Sequence, residues 1–150
     1  MEADGELSRR LRELFQSQKL AVLSTPGEGG AYASLVGFAA TDDLEGLLFA
    51  TSRGTRKYAN LMGESHAAML VDNRSNQDSD FHDAIAVTAT GRVEEVTGAN
   101  RDALLEAYLG KHPHLAEFAN APTCALLRLA VDTYYVVQRF QDVVEVRVRR

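Results

Sequence analysis

The residues best placed to do chemistry sit in "LFATSRGTRKYANLM", Leu48 to Met62, where Arg53, Arg56 and Lys57 crowd around Gly54 and Thr55 in a chain of net charge -5. Thr55 is placed to cap a helix carrying Tyr58, Leu61 and Met62 on one face, with Gly63 closing it. The cations then occupy the first turn. The backbone amides there already carry partial positive charge, and an Arg or Lys is unfavourable unless an anion is present too. A strand ending at Thr51, a turn containing Gly54 and a helix N-terminus form a concavity of N–H groups suited to a phosphate. The Thr55 hydroxyl, Arg56 and Lys57 add charge-assisted hydrogen bonds, while Arg53 reads as a solvated neighbour of this clamp. The competing reading is a solvated helix start whose cations hold nothing. A nucleotide-hydrolysing loop is excluded, because G-x-x-x-x-G-K-[ST] does not occur and Gly54 is followed by Thr55 and Arg56.

Other reactive residue types are scattered. His112 and His114 flank a proline and lack the i, i+4 spacing of a helical metal site, so they read as exposed loop histidines; His66 and His82 are isolated. The acidic "DSDFHD" lacks the glycine and terminal Glu of an EF-hand, and no metal site is expected. Ser24, Ser34 and Ser52 are not in a G-x-S-x-G elbow, and Cys124 reads as a buried, inert thiol. With no acid–base pair in view, the clamp beside the small-residue stretch "AYASLVGFAA" suits a phosphorylated aromatic cofactor that brings its own chemistry.

The elements that must position the clamp are mostly strands. Glu6 to Gln18 reads as a helix with Leu7, Leu11, Leu14 and Phe15 on one stripe. Lys19 to Thr25 is a strand ending at "PGEGG", Ala31 to Ala40 a second, in which Gly37 predicts close approach by another backbone or a ligand, and "LLFAT" a third. Ala67 to Val71 resumes the sheet, and the polar "DNRSNQDSDFHD" is a surface loop or a segment that meets a partner. Ala84 to Val96 is a long strand with a bulge expected at Gly91. Asn100 to Gly110 is a helix whose apolar face is Ala103, Leu104, Ala107 and Tyr108, with Asn100 as cap and Gly110 as stop. A loop with a short helix leads to two β-rich runs, Cys124 to Val131 and Thr133 to Phe140, and "RVRR" reads as a solvated tail. Six or seven strands with three flanking helical regions argue for one mainly β (α+β) domain over residues 1–150, an antiparallel barrel with helical covers.

Composition fits this reading: 45% hydrophobic and 25% charged residues are the balance of a globular protein. The single cysteine, the absence of a signal-like leader and the lack of a long apolar run give the expectation of a cytoplasmic protein that does not meet a membrane. The acidic balance argues against nucleic acid as a partner.

The ordered series "LAVLSTPGEGG", "AYASLVGFA", "LLFATSRGTRKYANLMGESHAAMLVDN" and "AVTATGRVEEV" resembles the pyridoxamine 5'-phosphate oxidase-like family of FMN-binding split β-barrels, from about Lys19 to Val96 and more weakly to Phe140. The resemblance implies a six- to seven-stranded antiparallel split β-barrel with flanking helices, binding FMN as a homodimer with the cofactor at the subunit interface. Carried over, Thr55, Arg56 and Lys57 would hold the phosphate, and Ala50, Thr51 and Ser52 would line the ribityl chain and ring edge. Ser34 and Leu35 would offer backbone groups to the isoalloxazine, and Arg74 and Asn76 would complete the partner's site. The implied function is an oxidoreductase acting on a small-molecule substrate. The alternatives are a non-catalytic flavin-binding module or a haem-handling one with His112 or His114 as axial ligand. The chain lacks the C-terminal Trp-containing segment of true pyridoxamine phosphate oxidases, having no Trp, so the resemblance does not extend to vitamin B6 oxidation.

Overall fold

Period-two burial organises most of the residues that the computed structural model describes, 5–139 and 142–148. Strand β1 (Leu20–Gly27) pairs antiparallel with β2 (Gly30–Ala40), and β3 (Gly46–Ser52) follows β2. The helix α2 (Arg56–Gly63) leads from β3 into β4 (His66–Asp72), which returns to the far edge of β1. The strand β5 (Ile85–Glu95) pairs with β4, burying Ile85, Val87 and Ala89 on alternate positions. The 15-residue β6 (Cys124–Gln138) pairs with β5 on one edge and β3 on the other. Six strands thus close in the order β3-β2-β1-β4-β5-β6, and a seventh, β7 (Asp142–Arg147), is added outside.

The two β-rich runs at the end of the sequence are one strand. Thr90 faces Thr133 while Gly91 faces Val131, so β6 has one more residue than β5 at Asp132. The bulge expected at Gly91 is therefore located correctly, but the extra residue is on the partner strand. Its effect is to switch the inward parity of β6. Leu127, Leu129 and Val131 point into the core before it, Tyr134 and Val136 after it. The same residue marks a change of neighbour, since Cys124 to Ala130 pair with β3 and Thr133 to Gln138 with β7. Arg147 consequently belongs to a strand and Val148 is buried, so the start of "RVRR" is not a solvated tail. Phe140, Arg149 and Arg150 lie outside the described residues.

Helix α1 (Gly5–Ser17) buries Leu11, Leu14 and Phe15 against the barrel, the Phe15 ring lying 5.9 Å from Phe38 and 5.7 Å from Tyr134. The short α3 (Asp80–Asp83) ends the polar loop. Helix α4 (Arg101–Lys111) and α5 (Ala116–Asn120) cover the outer face of β2, β3 and β6 through a second apolar cluster that includes Leu48, Ala50, Leu105, Tyr108 and Leu126. The helix α4 is rotated from its expected face. Leu105 and Tyr108 are buried, with Leu104 and Leu109 packed beside them, whereas Ala103 and Ala107 are exposed. Asn100 makes no side-chain cap, Gly110 does not stop the helix, and Met62 of α2 is exposed rather than packed. Strand β1 also runs on through Pro26 to Gly27, leaving Glu28 and Gly29 as the whole turn.

A Cβ added at Gly91 would run into the Ala130 carbonyl oxygen, on backbone that cannot swing aside. Gly91→Ala is expected to destabilise the fold by roughly 2–3 kcal/mol through overpacking, read as a lower urea midpoint. An unchanged midpoint would contradict the close contact across the bulge.

Candidate functional site

The strands β2 and β3 pair over three residues only, Phe38 to Ala40 against Phe49 to Leu47, and then diverge. A cavity of about 490 Å³ lies in the gap, walled by Leu35 and Gly37 of β2, Ala50, Thr51 and Ser52 of β3, Thr55 and Lys57 at the start of α2, and Tyr108, His112, His114, Leu115 and Phe118 from α4 onward. The size and the mixture of an apolar wall with a few convergent polar groups are those of a small-molecule site.

Of the residues expected at the site, six line this cavity: Leu35, Ala50, Thr51, Ser52, Thr55 and Lys57. Thr55 caps α2, its Oγ1 accepting from Tyr58 N at 3.3 Å while donating to the Ser52 carbonyl at 3.0 Å, and it lies 3.0 Å from Thr51 Oγ1. Arg56, exposed at the first position of the helix, faces a neighbouring cavity beside Pro26, Gly27 and Glu28. Ser34 and Leu35 separate by strand alternation. Phe38 N donates to the Lys19 carbonyl, so Ser34, Val36 and Phe38 turn their backbone groups to β1, and Leu35 and Gly37 turn theirs into the gap. The Ser34 Oγ is buried without a hydrogen-bond partner among the described residues. Arg74 and Asn76 do not line the cavity of their own chain. Arg74 pairs with Asp72 at 3.0 Å, and the Asn76 N–H donates to Asp80 Oδ2 at 2.8 Å in a turn where Asn76 has φ 65°.

Arg53 is not a solvated neighbour. Its guanidinium pairs with Glu95 at 2.8 Å and donates to the carbonyls of Pro122 and Cys124 at 2.9 and 3.2 Å, tying the β3–α2 turn to β5 and to the start of β6. Tyr58 Oη donates to the other Glu95 oxygen at 2.9 Å. The hydrogen bond from Arg53, with that from Tyr58, holds the Glu95 carboxyl below its usual range despite opposing desolvation.

The histidine expectation is also corrected at one position. His112 is buried, and its Nε2 lies 2.8 Å from the Phe38 carbonyl, which can only accept; Nε2 therefore carries the proton and Nδ1 the lone pair of the neutral ring. Burial lowers its pKa, outweighing the opposing effect of that bond. His114 is exposed at the cavity wall. The neighbouring Lys111 Nζ donates to the Phe15 carbonyl at 2.7 Å and sits 3.8 Å from the Phe38 ring centroid; burial takes its pKa down to about 8.

Pattern places Tyr108 on the buried face of its helix, but its hydroxyl carries the site role that pattern misses. Oη donates to the Gly37 carbonyl at 3.0 Å, and the approach is so close that a Cβ on Gly37 would lie 3.3 Å from it. The close approach predicted at Gly37 is therefore real, and a side chain makes it.

An antiparallel six-stranded barrel split along one ladder, with a helix start and a helical cover at the opening, defines a split-barrel protein. The family model of pyridoxamine 5'-phosphate oxidase matches residues 7–138, and the chain belongs to that family. No curated protein matches the sequence. Among solved structures, a haem-binding protein from Mycobacterium smegmatis is similar at 18% identity and TM-score 0.81, over 91% of this chain and 55% of that one; the chain thus spans about half of that protein's length. A protein from Clostridium acetobutylicum related to general stress protein 26, described as of the pyridoxinephosphate oxidase family, is similar at 15% identity and TM-score 0.74, over 97% of each chain. A FAD-binding protein from Mesorhizobium loti is similar at 13% identity and TM-score 0.67, over 86% of this chain and 92% of that one. These likenesses establish the fold. Among the described residues no helix is long and apolar enough to cross a membrane.

His112 gives this site a pH signature. A histidine whose folded pKa lies below its ordinary 6.5 binds fewer protons folded than unfolded, so its contribution is complete above pH 6.5 and is lost as the pH falls towards the folded value. Urea unfolding between pH 8 and 5 should show that loss in the natural protein and a shallower one in His112→Gln. Equal slopes would contradict the buried, neutral imidazole.

Proposed function

We propose that the chain is an FMN-binding oxidoreductase acting as a homodimer on a small substrate. The observation that carries the reading is a helix N-terminus opening onto the split, with two cations that lack anionic partners. Among the described residues neither Arg56 nor Lys57 forms an ion pair, whereas Arg53 is fully engaged. The donor set fits a phosphate monoester: the first amides of α2 and the Lys57 ammonium, joined by Arg56 from the outer side.

When bound, FMN supplies the hydride or electron exchange, and no acid–base pair is required of the protein. Lys57 and Arg56, with the first amides of α2, would hold the phosphate, and Thr55, whose hydroxyl proton goes to the Ser52 carbonyl, would fix the helix start that presents those amides. The outward backbone groups of Leu35 and the Gly37 N–H would meet the ring edge, and Ala50 and Ser52 would bound the chain between. Leu35, 65% exposed on the cavity wall, is an apolar platform that a partner subunit would cover. Arg74 and Asn76 are assigned to the partner's site, since neither lines its own.

Purified protein should be yellow or take up added FMN with a flavin absorption band. Lys57→Ala should weaken that binding by about 1.5–3 kcal/mol and the Arg56, Lys57 double alanine variant by more, as charged hydrogen bonds are lost. A colourless protein indifferent to FMN would overturn the reading, and unchanged affinity in the double variant would overturn the clamp. Anaerobic reduction of the bound flavin by NADH or NADPH separates the enzyme from a module that only binds flavin.

A second reading, haem handling, is favoured by the two histidines on the same cavity wall. His112 Nε2 donates to Phe38, so the nitrogens left to ligate iron are those of the exposed His114 and the His112 Nδ1. A Soret shift on haem titration that is lost in His114→Ala would support it, and a titration with no shift would remove it.

A further inference from the structure

We propose that Tyr108 is the positioning residue of the cavity, its hydroxyl acting as a wedge that keeps the β2–β3 ladder from closing at Gly37 and Ala50. Register makes the case. The last pairs are Ala39 with Leu48 and Phe38 with Phe49, so Gly37 and Ala50 are the next residues to meet. Because Phe38 turns its N–H to Lys19 on β1, Gly37 turns its groups the other way, to the strand edge where Ala50 would stand. An uninterrupted ladder would join the Gly37 carbonyl to the Ala50 amide directly. The Tyr108 hydroxyl occupies that place, donating to Gly37 O at 3.0 Å, with the Ala50 backbone amide beside the hydroxyl oxygen. The hydroxyl thus gives a hydrogen bond to the Gly37 carbonyl, a group the split would leave without its ladder partner.

The wedge is held on a firm base. His112, which caps the end of α4 one turn beyond Tyr108, takes the next carbonyl of β2, that of Phe38, at 2.8 Å. Lys111 ties the same turn to α1. Tyr108 is itself 1% exposed, and glycine at position 37 leaves the room its oxygen needs. Without the hydroxyl the two strands would gain a direct bond and the cavity would lose width at its inner end.

Tyr108→Phe removes the single atom concerned. In that variant a through-hydrogen-bond scalar coupling between the Ala50 amide nitrogen and the Gly37 carbonyl carbon should appear by NMR, where the natural protein has none. A folded Tyr108→Phe protein without the coupling overturns the wedge. The natural protein provides a check that does not depend on the variant folding. Its Tyr108 hydroxyl proton should exchange slowly and show a nuclear Overhauser effect to the Ala50 amide proton, and a rapidly exchanging hydroxyl overturns the proposal. The consequence for ligand rests on the flavin reading: Tyr108→Phe should raise the Kd for FMN at least tenfold, and an unchanged Kd overturns the positioning role. Should FMN fail to bind the natural protein, the flavin reading falls while the coupling still tests the wedge.

Discussion

A closed antiparallel barrel pairs every strand on both sides, so main-chain groups can face a ligand only where a ladder is held open. Here the opening begins one residue beyond the Phe38–Phe49 pair, with the Tyr108 hydroxyl on the Gly37 carbonyl. The features of the site follow from that interruption. Divergence of β2 from β3 exposes the Leu35 and Ser52 edges, and the short segment after β3 can then turn α2 towards the gap. The helical cover must lie across the opening, because Tyr108 reaches β2 from α4.

Charge at the opening is divided between structure and binding. Arg53 spends its guanidinium on Glu95 and two carbonyls, so it fixes the turn from which α2 departs. Tyr58 on α2 reaches the same carboxylate, and Asn60 two residues further donates to Thr25 Oγ1 of β1 at 3.0 Å. The helix is therefore anchored by its side chains to β1 and β5, and its first amides keep a fixed direction. Arg56 and Lys57 are left as positive charge with no protein counterpart among the described residues, on a chain that is acidic overall. Such a local excess at a helix start favours anions over neutral ligands.

The fold was legible where local pattern and tertiary role coincide. Alternation in β5, the stripe of α1 and the Thr55 cap all act through near neighbours, and each is where the sequence places it. The reading failed where distant residues decide. Nothing around Asp132 distinguishes a loop from a bulge inside one strand until β3, β5 and β7 are in place to pair with it. The buried face of α4 is set by its packing on β2 and β3, where Leu105 lies inward and Ala107 outward. At the site, the Thr55–Lys57 segment was visible as an electrostatic anomaly, and Gly37 as a place of close approach. Arg53, Tyr108 and His112 were misread or passed over because their partners, Glu95, Gly37 and Phe38, are more than forty residues away in sequence.

The pairing of β6 with both β3 and β5 bears on the order in which the chain can fold. Residues 46–52 wait for residues 124–130, so the barrel cannot close during synthesis until β6 has emerged. Before that, β1 to β5 form at most an open sheet whose two terminal edges, β3 and β5, carry unpaired backbone groups and face a half-formed apolar core. Naked edges of this kind recruit other strands, and non-local closures of this length are slow. The interval before β6 arrives is thus the stage at which a growing chain is most open to strand exchange with its neighbours, and faster delivery of β6 would shorten it.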